Sequence, residues 1–126
     1  MITALLVFIT LLIVGFILYY CFPPIRICGY SMFPTFTDGE ILIGRRVFKK
    51  NTCKIGEVYV YTPPYATDKE KFVVKRLARI RDNKDGTYYY FLGDNSNDSY
   101  DSRYYGYVSS KHIVAKIVEN RGCKKW

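Results

Sequence analysis

No charged side chain precedes Arg26, so all 19 basic and all 11 acidic residues lie in 26–126. This asymmetry divides the 126 residues into an uncharged apolar arm and a basic body of about a hundred residues, enough for one small domain. From Met1 to Phe22 the arm is apolar except for Thr3, Thr10 and Gly15. As a helix it spans roughly 33 Å at 1.5 Å per residue, close to the hydrocarbon thickness of a bilayer. Tyr19 and Tyr20 end it with rings that favour the headgroup region. Pro23-Pro24 then stops the helix, since proline lacks the donor and disfavours helix before it. A cleaved secretory signal needs a basic n-region, an h-region of roughly 7–15 residues and small residues at a cut site. Here the run is longer, no Lys or Arg precedes it and no Ala-x-Ala follows. An uncleaved membrane anchor over residues 1–24 is therefore expected, with the body over 25–126. Counting nearby Lys and Arg places the body in the cytoplasm, but long domains translocate largely regardless of charge, so the side stays open.

The body consists of short apolar alternations broken by Gly, Pro, Asn and Asp. Strands are expected at Glu40–Val47, Glu57–Thr62, Phe72–Arg81, Thr87–Leu92 and His112–Glu119, each rich in Val, Ile, Tyr or Phe. Asp82-Asn83-Lys84-Asp85-Gly86 reads as a hairpin loop. The expected fold is mostly β: a small, strongly bent antiparallel sheet or partly open barrel behind one transmembrane helix.

A net charge of +8 invites a nucleic-acid reading. The basic residues are scattered, however, and no nucleic-acid-binding motif is present, so no nucleic-acid partner is expected. Attraction to anionic headgroups, worth ~1 kcal/mol per basic residue near the surface, accounts for the charge of a bilayer-tethered domain. Cys21, Cys28, Cys53 and Cys123 form no Cys-x-x-Cys pair, and His112 is the single histidine. Neither a metal nor a cofactor is expected, and the cysteines are read as free thiols.

Three segments depart from plain strand-and-turn sequence. Gly29-Tyr30-Ser31-Met32-Phe33-Pro34-Thr35 puts a serine in a Gly- and Pro-bounded turn just beyond the membrane exit. Phe72-Val73-Val74-Lys75-Arg76-Leu77 is an apolar strand with a lysine at its middle. The third, from Gly93-Asp94-Asn95 through Ser99, Asp101, Ser102 and Arg103 to Gly106, is a dense polar loop. Serine and a desolvated lysine can together make a nucleophile and its base. A lysine of ordinary pKa, about 10.4, is charged at neutral pH, but burial disfavours that form. A drop of about three pKa units is roughly 4 kcal/mol, and the neutral amine could then take the serine proton. Each segment alone has an ordinary reading: a turn serine, a lysine snorkelling from a strand, a solvated loop.

In this order, behind an apolar anchor, the segments resemble the boxes of the bacterial type I signal peptidase family: Ser-Met-x-Pro-Thr, Val-Lys-Arg and Gly-Asp-Asn-x-x-x-Ser-x-Asp-Ser-Arg-x-x-Gly. A fourth stretch, Gly56-Glu57-Val58-Tyr59-Val60-Tyr61-Thr62-Pro63-Pro64, is similar to the family's Gly-Asp-hydrophobic strand, with Glu for Asp. The resemblance implies that Ser31 is the nucleophile, Lys75 the general base and the Ser31 N–H an oxyanion donor. It implies that Ser99 hydrogen-bonds and orients the Lys75 amine, and that Asp101 and Arg103 form an ion pair supported by Asp94 and Arg76. Met32, Phe36, Val73 and Val74 match positions that wall shallow pockets for small side chains. The implied partners are preprotein signal peptides, cut after Ala-x-Ala on the outer face of the membrane. Position 29 is Gly, where some members carry a second oxyanion serine. The usual Gly-x-Pro-Gly-Asp after Lys75-Arg76 is replaced by Leu77-Ala78-Arg79-Ile80-Arg81. Sixteen residues, Leu77 to Leu92, separate the second box from the third, room for one hairpin in place of a larger non-catalytic domain. Ser–Lys self-cleaving repressors share the dyad logic but are soluble. A non-catalytic or dedicated accessory protein for assembling secreted or pilus subunits is the other alternative. Organism, substrate identity and oligomeric state are not legible.

Overall fold

The computed structural model describes residues 1–118. The expected strand end at Glu119, and Cys123, lie outside the described residues. Helix α1 (Ile2–Cys21) is followed by β1 (Pro24–Arg26), β2 (Ile41–Arg46), β3 (Val58–Tyr61), β4 (Val73–Asn83) and β5 (Gly86–Leu92), then by the short helix α2 (Ser102–Tyr105), β6 (Val108–Ser109) and β7 (Ile113–Ile117). The strands form one antiparallel sheet in the order β1-β2-β7-β3-β4-β5-β6, a partly open barrel. α1 is long and apolar enough to cross a membrane, and none of it is buried against the body.

The central strand explains the two-sided core. In β3, Val58, Tyr59, Val60 and Tyr61 are all buried, and side chains of a strand alternate between faces. The tyrosines enter a cluster with Leu77, Tyr89, Phe91, Val108 and Ile113. The valines enter a second with Ile27, Met32, Phe36, Ala115 and Ile117. Phe91 stacks on Tyr61 with ring centroids 4.1 Å apart and meets Tyr59 and Tyr89 edge-on. β4 changes register against β5 between Leu77 and Arg79, an irregularity of the kind that bends a strand.

All five expected strands are present. β1 and β6 were not legible, being three and two residues long and defined only by partners. Pro24 is tolerated in β1 because that strand is an edge. The hairpin is tighter than a five-residue loop: Asn83 pairs with Gly86, leaving Lys84-Asp85 as the turn. The arm is also tied to the sheet. Arg46 Nε donates to the Tyr20 carbonyl at 2.9 Å, and its guanidinium lies 4.1 Å from the Tyr20 ring centroid. A cation thus serves the carbonyl-rich end of an apolar helix that carries no basic residue in its own last turn.

Phe91→Ala should cost roughly 3–5 kcal/mol, because it empties the stack at the centre of the tyrosine cluster. Denaturant unfolding in micelles, followed by near-UV circular dichroism, measures the loss.

Candidate active site

Ser31 lies in a turn held from both sides. Gly29 supplies a φ of +86° and donates its N–H to Asp38 Oδ1 at 2.7 Å. A serine at position 29 would be strained in that conformation, which accounts for the glycine. Behind Ser31, Met32 is 1% exposed and embedded in the valine cluster. From the opposite side, the Asn95 N–H donates to the Ser31 carbonyl at 2.9 Å and Asn95 Nδ2 to the Tyr30 carbonyl at 3.0 Å. The Ser31 N–H itself donates to no other described group.

Lys75 projects from β4 directly opposite Tyr59 and is 5% exposed. Its Nζ donates to Ser31 Oγ at 2.6 Å. Burial pushes the lysine pKa down, while the charges of Asp101 and Asp98 pull it partly back. The outcome is an amine below its ordinary value and in contact with a hydroxyl. A neutral amine at this distance is chemically able to accept a hydroxyl proton.

Two carboxylates organise the surroundings. Asp94 accepts Arg76 Nε and Nη2, each at 2.8 Å, and the Thr35 hydroxyl at 2.6 Å. Burial works against its ionised form, but these partners hold its carboxyl below the usual range. Arg76 Nη1 also donates to the Gly56 carbonyl at 2.6 Å. Asp101 is fully buried and accepts from the Gly93 N–H, the Ser99 hydroxyl, and the Arg103 backbone N–H, Nε and Nη2. Burial opposes its charge as well, yet Arg103 and the other donors bring its pKa to about 2. The expected pairing of Asp101 with Arg103 is present at 2.9 Å, and Arg76 with Asp94 forms a second ion pair at 2.8 Å.

Ser99 differs from its expected geometry. Its hydroxyl donates to Asp101 Oδ2 at 2.8 Å, and no hydrogen bond joins it to Lys75. A hydroxyl has one proton, and a carboxylate already fixed in place is the stronger acceptor. Met32 and Phe36, 1% and 5% exposed, lie in the core and present almost no surface to a peptide. The turn between them closes with Phe36 N–H on the Met32 carbonyl at 3.0 Å, burying both side chains together. Val73 and Val74 are half-buried and pack against opposite clusters.

Thr35, Gly93 and Asn95 belong to the site although their tasks were not legible. A side chain at Gly93 would run into Ser99 Oγ and would stand 2.7 Å from the Ser31 carbonyl, so only glycine lets these segments meet. Membership in the quoted motifs was their only signal. Each acts across a long sequence separation, on a partner that only folding supplies. Cys21, Cys28 and Cys53 are free, and burial pushes the Cys53 thiol up. His112 lies exposed on the turn before β7.

The site therefore sets a serine hydroxyl against a desolvated lysine, on a bent antiparallel sheet behind an apolar helix. The chain matches the family model described as signal peptidase, peptidase S26, over residues 1–80 and 79–120. It belongs to that family. No curated protein matches it.

The depressed Lys75 pKa has a consequence for stability. Between the folded value and about 10.4 the unfolded chain binds more protons, so this residue makes stability rise with pH across that window. Lys75→Met should therefore melt above wild type at pH 7, with the gap closing as pH approaches about 10.4. Paired thermal melts from pH 7 to 10.5 test this, and a pH-independent gap would contradict it.

Proposed function

We propose that this chain is a membrane-anchored serine endopeptidase that removes N-terminal signal peptides from secreted preproteins after small residues of the Ala-x-Ala type. Residues 1–24 form its single-pass anchor, and the body from residue 25 works on the extracytoplasmic side. The observation that carries the reading is the 2.6 Å contact between Ser31 Oγ and the buried Lys75 amine. Family membership supports peptidase activity of this kind.

In the proposed reaction, Ser31 Oγ attacks the scissile carbonyl carbon as its proton passes to neutral Lys75 Nζ. The carbonyl oxygen becomes an oxyanion facing the uncommitted Ser31 N–H. Collapse breaks the C–N bond, and the Lys75 ammonium returns its proton to the leaving amine. Water then enters and attacks the acyl ester as Lys75 takes one of its protons; the C–Oγ bond breaks and Lys75 returns that proton to Ser31 Oγ, restoring both groups. Asp101 with Arg103, and Asp94 with Arg76, hold the loop and β4 in register. Ser99 acts on Lys75 indirectly, by fixing the Asp101 carboxylate beside Gly93.

The sheet offers the substrate a place. β4 pairs with β5 only from Arg76↔Leu92 onward, whereas its pairing with β3 runs from Val73 to Arg76. The Val73–Lys75 stretch therefore has one edge without a strand partner, ending at the amine. An extended signal-peptide segment adds there as a strand, with Val73 and Val74 beside it and Met32 and Phe36 setting the floor from within the core. Ser31 lies nine residues beyond Phe22, which keeps cleavage close to the bilayer surface.

A preprotein with an Ala-x-Ala site, incubated with the full chain in detergent or lipid, should be cleaved by wild type. Ser31→Ala and Lys75→Ala should each reduce the rate roughly 10³-fold or more. Equal processing by all three proteins would reject the assignment, and failure by wild type as well would favour an assembly or single-substrate role.

The pH–rate profile should rise along a limb below lysine's ordinary value of about 10.4. Asp98→Asn removes a charge that holds Lys75 up, so the limb should move to lower pH, and by more at low salt than at high.

A further inference from the structure

Away from Ser31, a cavity of about 530 Å³ opens where the arm meets the sheet. Five cationic side chains line it: Arg45, Arg46, Lys49, Lys54 and Lys116. Glu57 is the one acidic residue among its lining. That carboxylate is already engaged, by Lys116 at 3.0 Å and by the Tyr59 hydroxyl at 3.0 Å. Arg46 is committed to the Tyr20 carbonyl. The side chains of Arg45, Lys49 and Lys54 make no hydrogen bond or ion pair with any described residue, and Lys54 acts on Glu57 through its charge alone, so the cations around this concave space outnumber its single carboxylate.

The position of the cavity bears on what it holds. Cys21 and Phe22, the end of the apolar arm, form part of its wall. If α1 crosses a bilayer, its last residue lies at the hydrocarbon boundary, which sets the cavity at headgroup depth. Phe48, also in the lining, is 68% exposed and adds apolar surface at the same level. Cations over an apolar wall at that depth match a phosphate headgroup joined to acyl chains. An acidic protein segment would satisfy the cations but leave the apolar wall unused.

We propose that this cavity binds one anionic phospholipid, with its phosphate among Arg45, Lys49 and Lys54 and its acyl chains lying along α1. The bound lipid joins anchor to sheet and so fixes the height of the body above the membrane. The inference rests on α1 being a membrane span, and it does not depend on the catalytic roles of Ser31 and Lys75.

The full chain, equilibrated in mixed micelles with equimolar phosphatidylglycerol and phosphatidylcholine, is read by native mass spectrometry for retained lipid. Wild type should hold phosphatidylglycerol over phosphatidylcholine by roughly tenfold or more. The triple variant Arg45→Gln, Lys49→Gln, Lys54→Gln should lose that preference. Lys69→Gln, Lys71→Gln, Lys84→Gln removes the same charge from exposed positions outside the cavity, and should keep it. Equal loss in both triples would reduce the effect to diffuse surface charge and overturn the site. Displacement of the lipid by inorganic phosphate or by a glutamate-rich peptide would overturn the lipid assignment. Flotation with pure phosphatidylcholine vesicles tests the span separately. A chain that does not float rejects span and site together, and one that floats without lipid preference rejects the site alone.

Discussion

Asp94 joins the three segments on which the site is built. It belongs to the polar loop, takes both nitrogens of a bidentate fork from Arg76 on β4, and receives the Thr35 hydroxyl from the serine turn. Such charge-assisted forks are geometrically demanding, so this one fixes orientation as well as distance. Residues 35, 76 and 94 are remote in sequence, and this node ties the serine turn and the loop to the sheet at one point, beside the Asn95 bonds to the turn. The 2.6 Å approach of Ser31 to Lys75 depends on both.

The second carboxylate has a different task. Asp101 is buried close enough for its charge to act on Lys75, in the direction that raises the amine's pKa. Its oxygens are taken by Arg103, the Gly93 N–H and Ser99. The arginine balances the negative charge of Asp101, and desolvation remains the larger influence on Lys75. Asp101 and Asp94 each have their own guanidinium, while Asp101 and Asp98 are the carboxylates whose charge reaches Lys75. Tyr59 and Leu77, buried within the cluster that Lys75 borders, maintain the desolvation.

Legibility followed the range of the forces involved. Strands β2, β3, β4, β5 and β7 were visible because apolar alternation and turn residues are local signals. β1 and β6 were not, since two or three residues become a strand only when a partner supplies the hydrogen bonds. The chemistry-bearing residues were recognised as ordered motifs, while their partners were only partly anticipated. Ser99 donates to Asp101 where a bond to Lys75 was expected. Met32 and Phe36 lie inside the core, because the turn that carries Ser31 needs an apolar root on the sheet.

By itself, the sequence determined the division into an uncharged arm and a basic body, the antiparallel β character, and the residues able to do acid–base and nucleophilic chemistry. Those properties depend on composition and on periodicity over a few residues. Only the tertiary structure decided that Lys75 is desolvated, that Ser31 is within hydrogen-bond reach of it, and that β5 leaves the Val73–Lys75 edge open. It also gathered Arg45, Lys49 and Lys54 around one cavity at the foot of the arm, cations that read in sequence as scattered surface charge. Burial and proximity depend on segments distant in the chain, and their free energies exist only once those segments meet.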